Sequence, residues 1–225
     1  MCNHALRDRH MLKYAREVIP DLEISEPEPE FTPHAYPKSP SPIVVEENGR
    51  RVVQLLRWGI AHTIQGKPTF TTNARDDRLL KIALWREPVA RRRCLIPLVG
   101  YFEPGQGPVG AKGELFFTIK ARPAFFVAGL WDFDPDGTTR GYAMVTTSPN
   151  SYTAPFHDRQ PVVLSDSHAL QWLGSQPLLP DLVLSLTRPP PREIMQHEVI
   201  PAVPKLKVEK PMPPSPSGEV QQTLF

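Results

Sequence analysis

An apolar run near the middle of the chain decides the fold: residues 91–104 read Arg91-Arg92-Arg93-Cys94-Leu95-Ile96-Pro97-Leu98-Val99-Gly100-Tyr101-Phe102-Glu103-Pro104. Within this run, residues 94–97 have the length and composition of a buried strand. Similar strand signals recur at residues 43–45, 52–56, 115–119, 124–131, 142–147 and 161–164. The first two of these flank Asn48-Gly49, a dipeptide typical of a tight hairpin turn.

Helical signals are fewer than strand signals. We expect helices over residues 7–18, which end before Pro20, and over residues 77–85. A third helix is expected over residues 165–173, with Ser165 or Asp166 as its N-cap and Gly174 beyond its end. Strands and helices do not alternate regularly, so the pattern predicts an α+β fold.

Composition limits the classes of protein to which the chain could belong. The chain has 225 residues, of which 40% are hydrophobic and 22% charged, with a formal net charge of +2. These proportions are typical of a globular domain with appendages. So small a charge creates no strong global field, and any contact with nucleic acid must come from a local basic patch. No apolar stretch approaches the ~20 residues of a membrane span.

Proline distribution predicts the domain boundaries. The chain contains 28 prolines, and residues 27–42 hold one cluster that we expect to be a surface loop. The residues that follow 200 are also rich in proline, which favours a disordered linker over residues 201–220. The sequence therefore predicts a folded domain over residues 1–200 and a separate terminal peptide, residues 221–225.

The cysteines suggest compartment and chemistry. The chain has two, Cys2 and Cys94. They do not make a disulfide framework, and no signal peptide is visible, so a cytoplasmic location is expected. If Met1 is removed, Cys2 carries a free α-amine beside its thiol. An α-amine has a lower pKa than a lysine side chain, so more of it is nucleophilic near pH 7. This aminothiol can trap an aldehyde as a Schiff base and then as a thiazolidine ring.

Four segments hold polar residues in apolar surroundings: residues 1–4, 71–75, 91–104 and 155–162. Glu103 ends an apolar segment, where burial raises the pKa of a carboxyl group, although a surface glutamate before a turn is the alternative. His157 is a candidate proton carrier, or else a structural histidine paired with Asp158. Asn73 is a candidate polar ligand, or else a turn residue.

The basic and aromatic candidates have structural alternatives too. Arg75 and Arg159 have the planar guanidinium fork that suits phosphate oxygens, but each could form a surface salt bridge instead. The run of residues 91–93, which includes Arg93, could contact DNA or be a solvated face. Trp58 could stack on a base, although tryptophan is more often a core residue.

These motifs occur together in an order that resembles one family. Cys2 after Met1 is followed by Trp-Gly at 58–59, Asn-Ala-Arg at 73–75, Arg-Arg-Cys-Leu-Ile-Pro at 92–97 and Phe-Glu at 102–103. Ala-Gly-Leu-Trp at 128–131 and His-Asp-Arg-Gln-Pro-Val at 157–162 complete the set. The set is similar to that of the SRAP family, the SOS-response-associated peptidases, over residues 2–200.

The resemblance implies a DNA-repair role. Family members crosslink to abasic sites in single-stranded DNA through Cys2, as a thiazolidine with the opened sugar. It also implies that Glu103 is the general acid/base, that His157 moves a proton to the sugar oxygen and that Asn73 orients the sugar. No metal or other cofactor is expected. The implied fold is a mixed or antiparallel, barrel-like sheet with a few flanking helices and a DNA-binding groove.

Several positions depart from the family pattern, so the chain resembles a divergent member. Asn3-His4 stand where the family has Gly-Arg, which leaves His4 as the candidate phosphate contact. Pro104 replaces the tryptophan expected after Phe-Glu. The family's Asn-x-Ala-Pro-Thr loop is poorly kept, and only Tyr36-Pro37 is similar to part of it.

Two other functional hypotheses stay open from the sequence. Cys2 with His157 could act as a thiol hydrolase that cleaves peptides or removes Met1, and a weak lyase activity could accompany the Schiff base. Alternatively, the chain could be a non-catalytic DNA-binding module. The terminal residues Gln221, Leu224 and Phe225 resemble a peptide that binds the bacterial sliding clamp, which would place the protein at the nucleoid.

Overall fold

The computed structural model describes residues 2–106 and 112–201. Within these residues the chain has fifteen strands and four α-helices, and the predicted α+β class is confirmed. No helix in the described part of the chain is long and apolar enough to cross a membrane. The predicted linker, except for Pro201, and the predicted terminal peptide lie outside the described residues.

The elements follow one another in a strand-rich order. The helices are α1 (Arg9–Val18), α2 (Ala83–Arg91), α3 (Asp166–Trp172) and α4 (Pro180–Leu186). The strands are β1 (His4–Leu6), β2 (His34–Ala35), β3 (Pro40–Glu47), β4 (Arg50–Trp58), β5 (Ile60–Ile64), β6 (Lys67–Thr71), β7 (Asn73–Arg75), β8 (Arg93–Leu98), β9 (Gly100–Gln106), β10 (Lys112–Ile119), β11 (Phe125–Phe133), β12 (Arg140–Thr147), β13 (Gln160–Pro161), β14 (Val163–Leu164) and β15 (Met195–Pro201).

Five strands close into a ring at the centre of the fold. β3 pairs with β4 and with β8, β8 pairs with β11, and β11 pairs with β12. β12 then pairs with β4, in parallel, which completes the ring. A closed ring leaves none of its members with a free hydrogen-bonding edge. The barrel-like core implied by the sequence is therefore confirmed.

A second sheet carries the N-terminal end of the chain. Its strand order is β15-β10-β9-β1-β2, and all its pairings are antiparallel. β1 lies beside β9, with His4 opposite Phe102 and Ala5 opposite Tyr101. This pairing brings residue 2, which comes just before β1, to the end of β9 that contains Glu103.

Strand alternation divides the core into two layers. In β8, Leu95 packs in a cluster with helix residues such as Met11 and Trp172. Its neighbours Cys94 and Ile96 pack in the other cluster, which also includes residues of the second sheet. Because both faces of β8 are buried, its sequence is a continuous apolar run instead of an alternating one.

The hairpin and two of the three helices agree with the sequence signals. Asn48 and Gly49 both have positive φ, 53° and 75°, as the predicted turn between β3 and β4 requires. Asp8 caps α1 by accepting a hydrogen bond from the amide of His10 at 2.8 Å. Ser165 caps α3 in the same way, through the amide of His168.

The helix predicted over residues 77–85 is wrong. The segment forms a 3₁₀ turn at Asp76–Arg78, and α2 begins only at Ala83. Asp76 accepts hydrogen bonds from Thr147 and Arg159, which holds the turn against the barrel. α2 also extends beyond the predicted end, through Pro88 to Arg91.

The predicted DNA contact by Arg93 is wrong, because its side chain lies in the protein interior. Arg93 is 2% exposed. Its guanidinium donates hydrogen bonds to five backbone carbonyls at 2.6–2.8 Å, which belong to Val89, Ala90, Trp172, Gly174 and Gln176. These bonds tie β8 to the end of α2 and to the segment after α3.

The predicted base-stacking role of Trp58 is also wrong. Trp58 is 0% exposed, and its indole N–H donates to the carbonyl of Thr72 at 3.0 Å. Its ring stacks against Tyr142, with 6.1 Å between the ring centroids. Trp58 is therefore a core residue that positions Thr72, the residue directly before Asn73.

We expect Arg93→Leu to lower the free energy of unfolding by roughly 3 kcal/mol or more, because five backbone carbonyls, two of them in fully buried hydrogen bonds, lose their donor. Arg91→Leu is the matched control, since Arg91 belongs to the same basic run but is 66% exposed. That control should change stability by no more than about 0.5 kcal/mol. Urea unfolding of both variants makes the comparison, and equal effects would contradict the structural role of Arg93.

Candidate active site

Cys2 is enclosed by the protein. It is 1% exposed, and its thiol lies 3.5 Å from the carbonyl oxygen of His4. Burial raises the pKa of this thiol, and the nearby negative charge of Glu103 raises it further. The thiol is therefore held in its protonated form at neutral pH.

Asn73 contacts Cys2 directly. β7 pairs in parallel with β12, with Asn73 opposite Met144, and this pairing places the asparagine beside the N-terminal segment. Its side-chain amide donates to the carbonyl oxygen of Cys2 at 3.1 Å and to the hydroxyl of Thr72 at 3.0 Å. Asn73 is 8% exposed, so these contacts lie in a largely dry environment.

Glu103 is a buried carboxyl group. It lies on β9 and is 2% exposed. Burial raises its pKa to about 7, because a carboxylate loses favourable solvation inside a protein. At neutral pH the group populates both protonation states, which is the property required of a general acid/base.

His157 lies next to Glu103, in the loop between β12 and β13. Its Nε2 is 3.7 Å from a carboxyl oxygen of Glu103. Its Nδ1 accepts a hydrogen bond from the amide of Arg159 at 3.0 Å, while the carboxylate of Asp158 lies 2.9 Å from the same nitrogen. We assign Nδ1 as the acceptor, because the backbone amide is a fixed donor and Asp158 is 85% exposed. In that tautomer Nε2 carries the proton and faces Glu103.

The four residues predicted as catalytic come from four separate parts of the chain and meet at one place. Asn73 touches Cys2, the charge of Glu103 acts on the Cys2 thiol, and His157 lies beside Glu103. Burial lowers the pKa of His157, so its neutral form is favoured. The group therefore combines a buried, protonated thiol with a buried carboxyl group and an imidazole whose neutral form is favoured.

The two arginines predicted to bind phosphate differ in position. Arg75 is 43% exposed and pairs with Asp77 at 3.0 Å. Exposed pairs of this kind contribute little to stability, so the guanidinium of Arg75 can exchange that carboxylate for a phosphate. Arg159 is only 9% exposed and donates to Asp76 at 2.6 Å and to the carbonyl of Thr146. These bonds favour the salt-bridge alternative for Arg159.

His4 does not lie in this group, although it is close to Cys2 in sequence. Its ring stacks between Tyr36 and Phe102, at centroid distances of 4.4 and 4.0 Å. Its Nδ1 lies 3.0 Å from a carboxyl oxygen of Glu114, and its Nε2 lies 2.7 Å from Nδ1 of His34. Because both ring nitrogens are engaged, this geometry disfavours the predicted phosphate contact.

One residue near the site was not predicted from the sequence. Tyr101 lies two positions before Glu103 on β9 and is 1% exposed. Residues two apart on a strand point to the same face, and this spacing was the available signal. Tyr101 therefore shares the inner face of β9 with Glu103.

Whether a metal ion could bind depends on how the donor side chains are arranged. Among residues 2–106 and 112–201, no group of three or more His, Cys, Asp or Glu side chains is placed to hold a metal ion. A cavity of about 660 Å³ has Phe125, Val163 and Arg188 among its lining residues, and none of the four predicted catalytic residues lines it.

Comparison with known families agrees with the motif order. A family model described as SOS response associated peptidase (SRAP) matches residues 1–206. The chain belongs to this family.

The SRAP protein is similar to curated proteins of two bacteria. It is 26% identical to "Abasic site processing protein YoaM" of Bacillus subtilis (strain 168) over 186 residues, which cover 77% of this chain and 81% of the relative. It is 25% identical to "Abasic site processing protein YedK" of Escherichia coli (strain K12) over 173 residues, 76% of each chain.

Solved structures share its fold. A protein from Bacteroides thetaiotaomicron matches with a TM-score of 0.68 and 24% identity, covering 88% of this chain and 92% of that one. A protein from Bordetella bronchiseptica matches with a TM-score of 0.72 and 19% identity, covering 89% and 100%. These likenesses support the fold.

The raised pKa of Glu103 predicts a pH-dependent stability. Above the ordinary value near 4.5, the unfolded chain releases a proton that the folded protein retains until about pH 7. The contribution of Glu103 to the free energy of unfolding therefore falls as pH rises through this window, by roughly 3 kcal/mol, and then levels off. Glu103→Gln removes this contribution.

Urea unfolding between pH 4.5 and 8 should show Glu103→Gln gaining stability over the wild type as pH rises, with a plateau above about pH 7. His157 is present in both proteins, so its own titration affects both. Glu30→Gln is the control for removing an exposed carboxylate. A stability difference that does not vary with pH would contradict the burial argument for Glu103.

Proposed function

We propose that this SRAP protein processes abasic sites in single-stranded DNA by crosslinking to them through Cys2. The observation that supports this most directly is the meeting of Asn73, Glu103 and His157 around residue 2, whose aminothiol can trap an aldehyde. The relatives named as abasic site processing proteins support the same substrate. An abasic deoxyribose in its open form presents such an aldehyde.

The first step requires removal of Met1, which frees the α-amine of Cys2. The amine attacks the sugar aldehyde carbon, and a carbinolamine forms. The carbinolamine then loses water to give a Schiff base, for which a protonated Glu103 supplies the proton to the leaving oxygen. A carboxyl group with a pKa of about 7 can donate this proton and take up another near neutral pH.

The second step closes the ring. The thiol of Cys2 gives up its proton to the carboxylate of Glu103, and its sulfur forms a bond to the imine carbon. The Schiff base still carries the proton on its nitrogen, so the π electrons of the C=N⁺ bond move onto nitrogen, which becomes the neutral N–H of the ring. Closure consumes the Schiff base and so suppresses elimination of the 3′ phosphate, the weak lyase reaction that a Schiff base otherwise permits.

Asn73 and His157 have supporting roles in this proposal. The Asn73 amide holds the carbonyl of Cys2 at 3.1 Å and so orients the aminothiol towards the sugar. The Nε2–H of His157, beside Glu103, can pass a proton to the sugar ring oxygen and promote ring opening or reversal of the crosslink. Arg75, on the exposed side of β7, is the candidate phosphate contact.

The structure favours this reaction over the peptidase alternative. A cysteine peptidase needs a thiol whose pKa is lowered, usually by a neighbouring imidazolium. Here burial and the charge of Glu103 raise the pKa of the Cys2 thiol, and burial lowers the pKa of His157. The non-catalytic alternative offers no role for a buried acid/base beside residue 2.

We predict a covalent adduct between the full-length protein and single-stranded DNA that contains one abasic site. The adduct should survive a denaturing gel and be lost in Cys2→Ala, because the α-amine that remains can form only a reversible Schiff base, with no thiol to close the ring. Cys94→Ala is the matched control, since Cys94 is equally buried but internal. It should leave the adduct intact.

Intact-mass analysis of the same sample should show that Met1 is absent from the reactive molecules. An adduct that persists in Cys2→Ala would contradict the proposed chemistry. Cleavage of a peptide substrate by protein that forms no adduct would favour the peptidase alternative, and neither activity would favour a non-catalytic module.

We also propose that residues 221–225 dock on the bacterial sliding clamp. Gln221 offers a polar anchor, and Leu224 and Phe225 offer two apolar ones. A proline-rich linker before them would raise the effective concentration of the domain near replicating DNA.

Deletion of residues 221–225 should abolish capture of the protein by purified sliding clamp, since the three anchors are removed together. The DNA adduct should form at an unchanged rate, because these residues lie far along the chain from the site. Leu224→Ala with Phe225→Ala is the control that keeps the length of the tail. Unchanged capture after the deletion would disprove the docking.

A further inference from the structure

The inner face of β9 carries a second polar group next to Glu103. Antiparallel pairing places Tyr101 opposite Ala5 of β1 and Phe117 of β10. The ring of Tyr101 stacks on that of Phe117, with 5.1 Å between the centroids. Phe102, between the two polar residues, points to the opposite face, where it stacks on His4. Tyr101 and Glu103 therefore face the same interior.

This interior is the buried cluster to which Cys2 belongs. Cys2 and Tyr101 are both 1% exposed and are members of one apolar cluster, together with Ala5 and Phe117. The cluster fills the space between the second sheet and the barrel. The phenol of Tyr101 thus lies in the same dry compartment as the reactive thiol.

The hydroxyl of Tyr101 is a buried polar group with no hydrogen-bond partner among the described residues. Leaving such a group unpaired costs about 1–3 kcal/mol. Other buried tyrosines of this protein are paired: Tyr142 donates to Ser41 at 2.9 Å, and Tyr14 donates to Asp166. An unpaired hydroxyl in the same buried cluster as Cys2 is therefore a donor available to a group that forms during the reaction.

The charge state of Tyr101 suits that role. Burial raises the pKa of the phenol, and the neighbouring charges of Cys2 and Glu103 raise it further. The phenol consequently keeps its proton throughout the neutral range. A neutral O–H donor stabilises a negative charge that develops nearby.

We propose that the Tyr101 hydroxyl is a catalytic hydrogen-bond donor to the sulfur of Cys2 during ring closure. The inference rests on the proposed aminothiol chemistry of Cys2. When the thiol gives its proton to Glu103, negative charge develops on sulfur in a buried environment that stabilises it poorly. The phenol O–H of Tyr101 donates to this sulfur until the C–S bond has formed, and the phenol keeps its proton at the end.

The test uses formaldehyde as the smallest aldehyde probe and full-length protein from which Met1 is absent by intact mass. Formaldehyde converts the Cys2 aminothiol to a thiazolidine, which adds one carbon to the mass of the protein. The rate is measured between pH 5 and 9 for the wild type, Tyr101→Phe and Tyr142→Phe. Both substitutions remove one hydroxyl from the same buried cluster, and only Tyr101 is unpaired before reaction.

We expect Tyr101→Phe to slow ring closure roughly tenfold at pH 7 and to move the midpoint of the pH profile upward, because the thiolate loses its donor. Its thermal stability should equal or exceed that of the wild type, since no hydrogen bond is lost. Tyr142→Phe should lose stability and keep the wild-type midpoint. An unchanged rate and midpoint in Tyr101→Phe would overturn the proposal.

The same variants are then compared with abasic single-stranded DNA as the aldehyde. If the wild type reacts with formaldehyde but not with abasic DNA, the proposed function is contradicted. The role of Tyr101 is then decided by the rates measured with formaldehyde alone. A Tyr101→Phe defect that appears with both aldehydes supports the donor role within the proposed function. A rate loss of equal size in both tyrosine variants, without a shift of the pH midpoint, would indicate a packing effect and overturn the proposal.

Discussion

The pairing of β1 with β9 is the constraint on which the site depends. Its register sets His4 against Phe102 and Ala5 against Tyr101, and so holds residue 2 at the end of β9 that contains Glu103. Because β10 also holds β9, a slip of one residue in this pairing would turn the side chains of β1 to the opposite face. The segment that carries Cys2 would then no longer meet Glu103 in the same register. The N-terminal segment is fixed here because β1 is paired on both sides, with β9 and with β2.

Burial then determines the chemistry. It keeps the Cys2 thiol protonated, holds the pKa of Glu103 near 7 and favours the neutral form of His157. In such an environment a proton moves only when the reaction supplies a new charge to balance it. A free thiolate is therefore not present at rest, and in the proposed reaction proton transfer begins only when the aldehyde binds. This behaviour suits a protein that should not react with other electrophiles before it meets its substrate.

The sequence predicted the parts of the fold that depend on local patterns. The strand runs, the Asn48-Gly49 turn and the cap at Ser165 follow from side-chain periodicity and backbone preference. The helix at residues 77–85 failed because contacts of Asp76 with Arg159 and Thr147, distant in sequence, hold a turn there.

Charged and aromatic residues were harder to place than apolar runs. Arg93 in a basic run suggests a solvated or DNA-binding surface, yet its five partners are carbonyls brought together only by the tertiary fold. His4 follows Cys2 by two positions, yet Cys2 lies before β1, and the pairing of His4 with Phe102 and its stacking on that ring place its side chain away from the four residues that meet around Cys2. For Tyr101 the residue type was apolar enough to suggest core packing, and only the missing partner of its hydroxyl indicates more.

The central claim is that both the amine and the thiol of Cys2 become part of one ring, and counting thiols tests it most directly. The chain has two cysteines, Cys2 and Cys94. The purified DNA adduct, denatured and titrated with a thiol reagent, should contain one free thiol, that of Cys94, and unreacted protein should contain two. Two free thiols in the adduct would show attachment through the amine alone and would contradict the account.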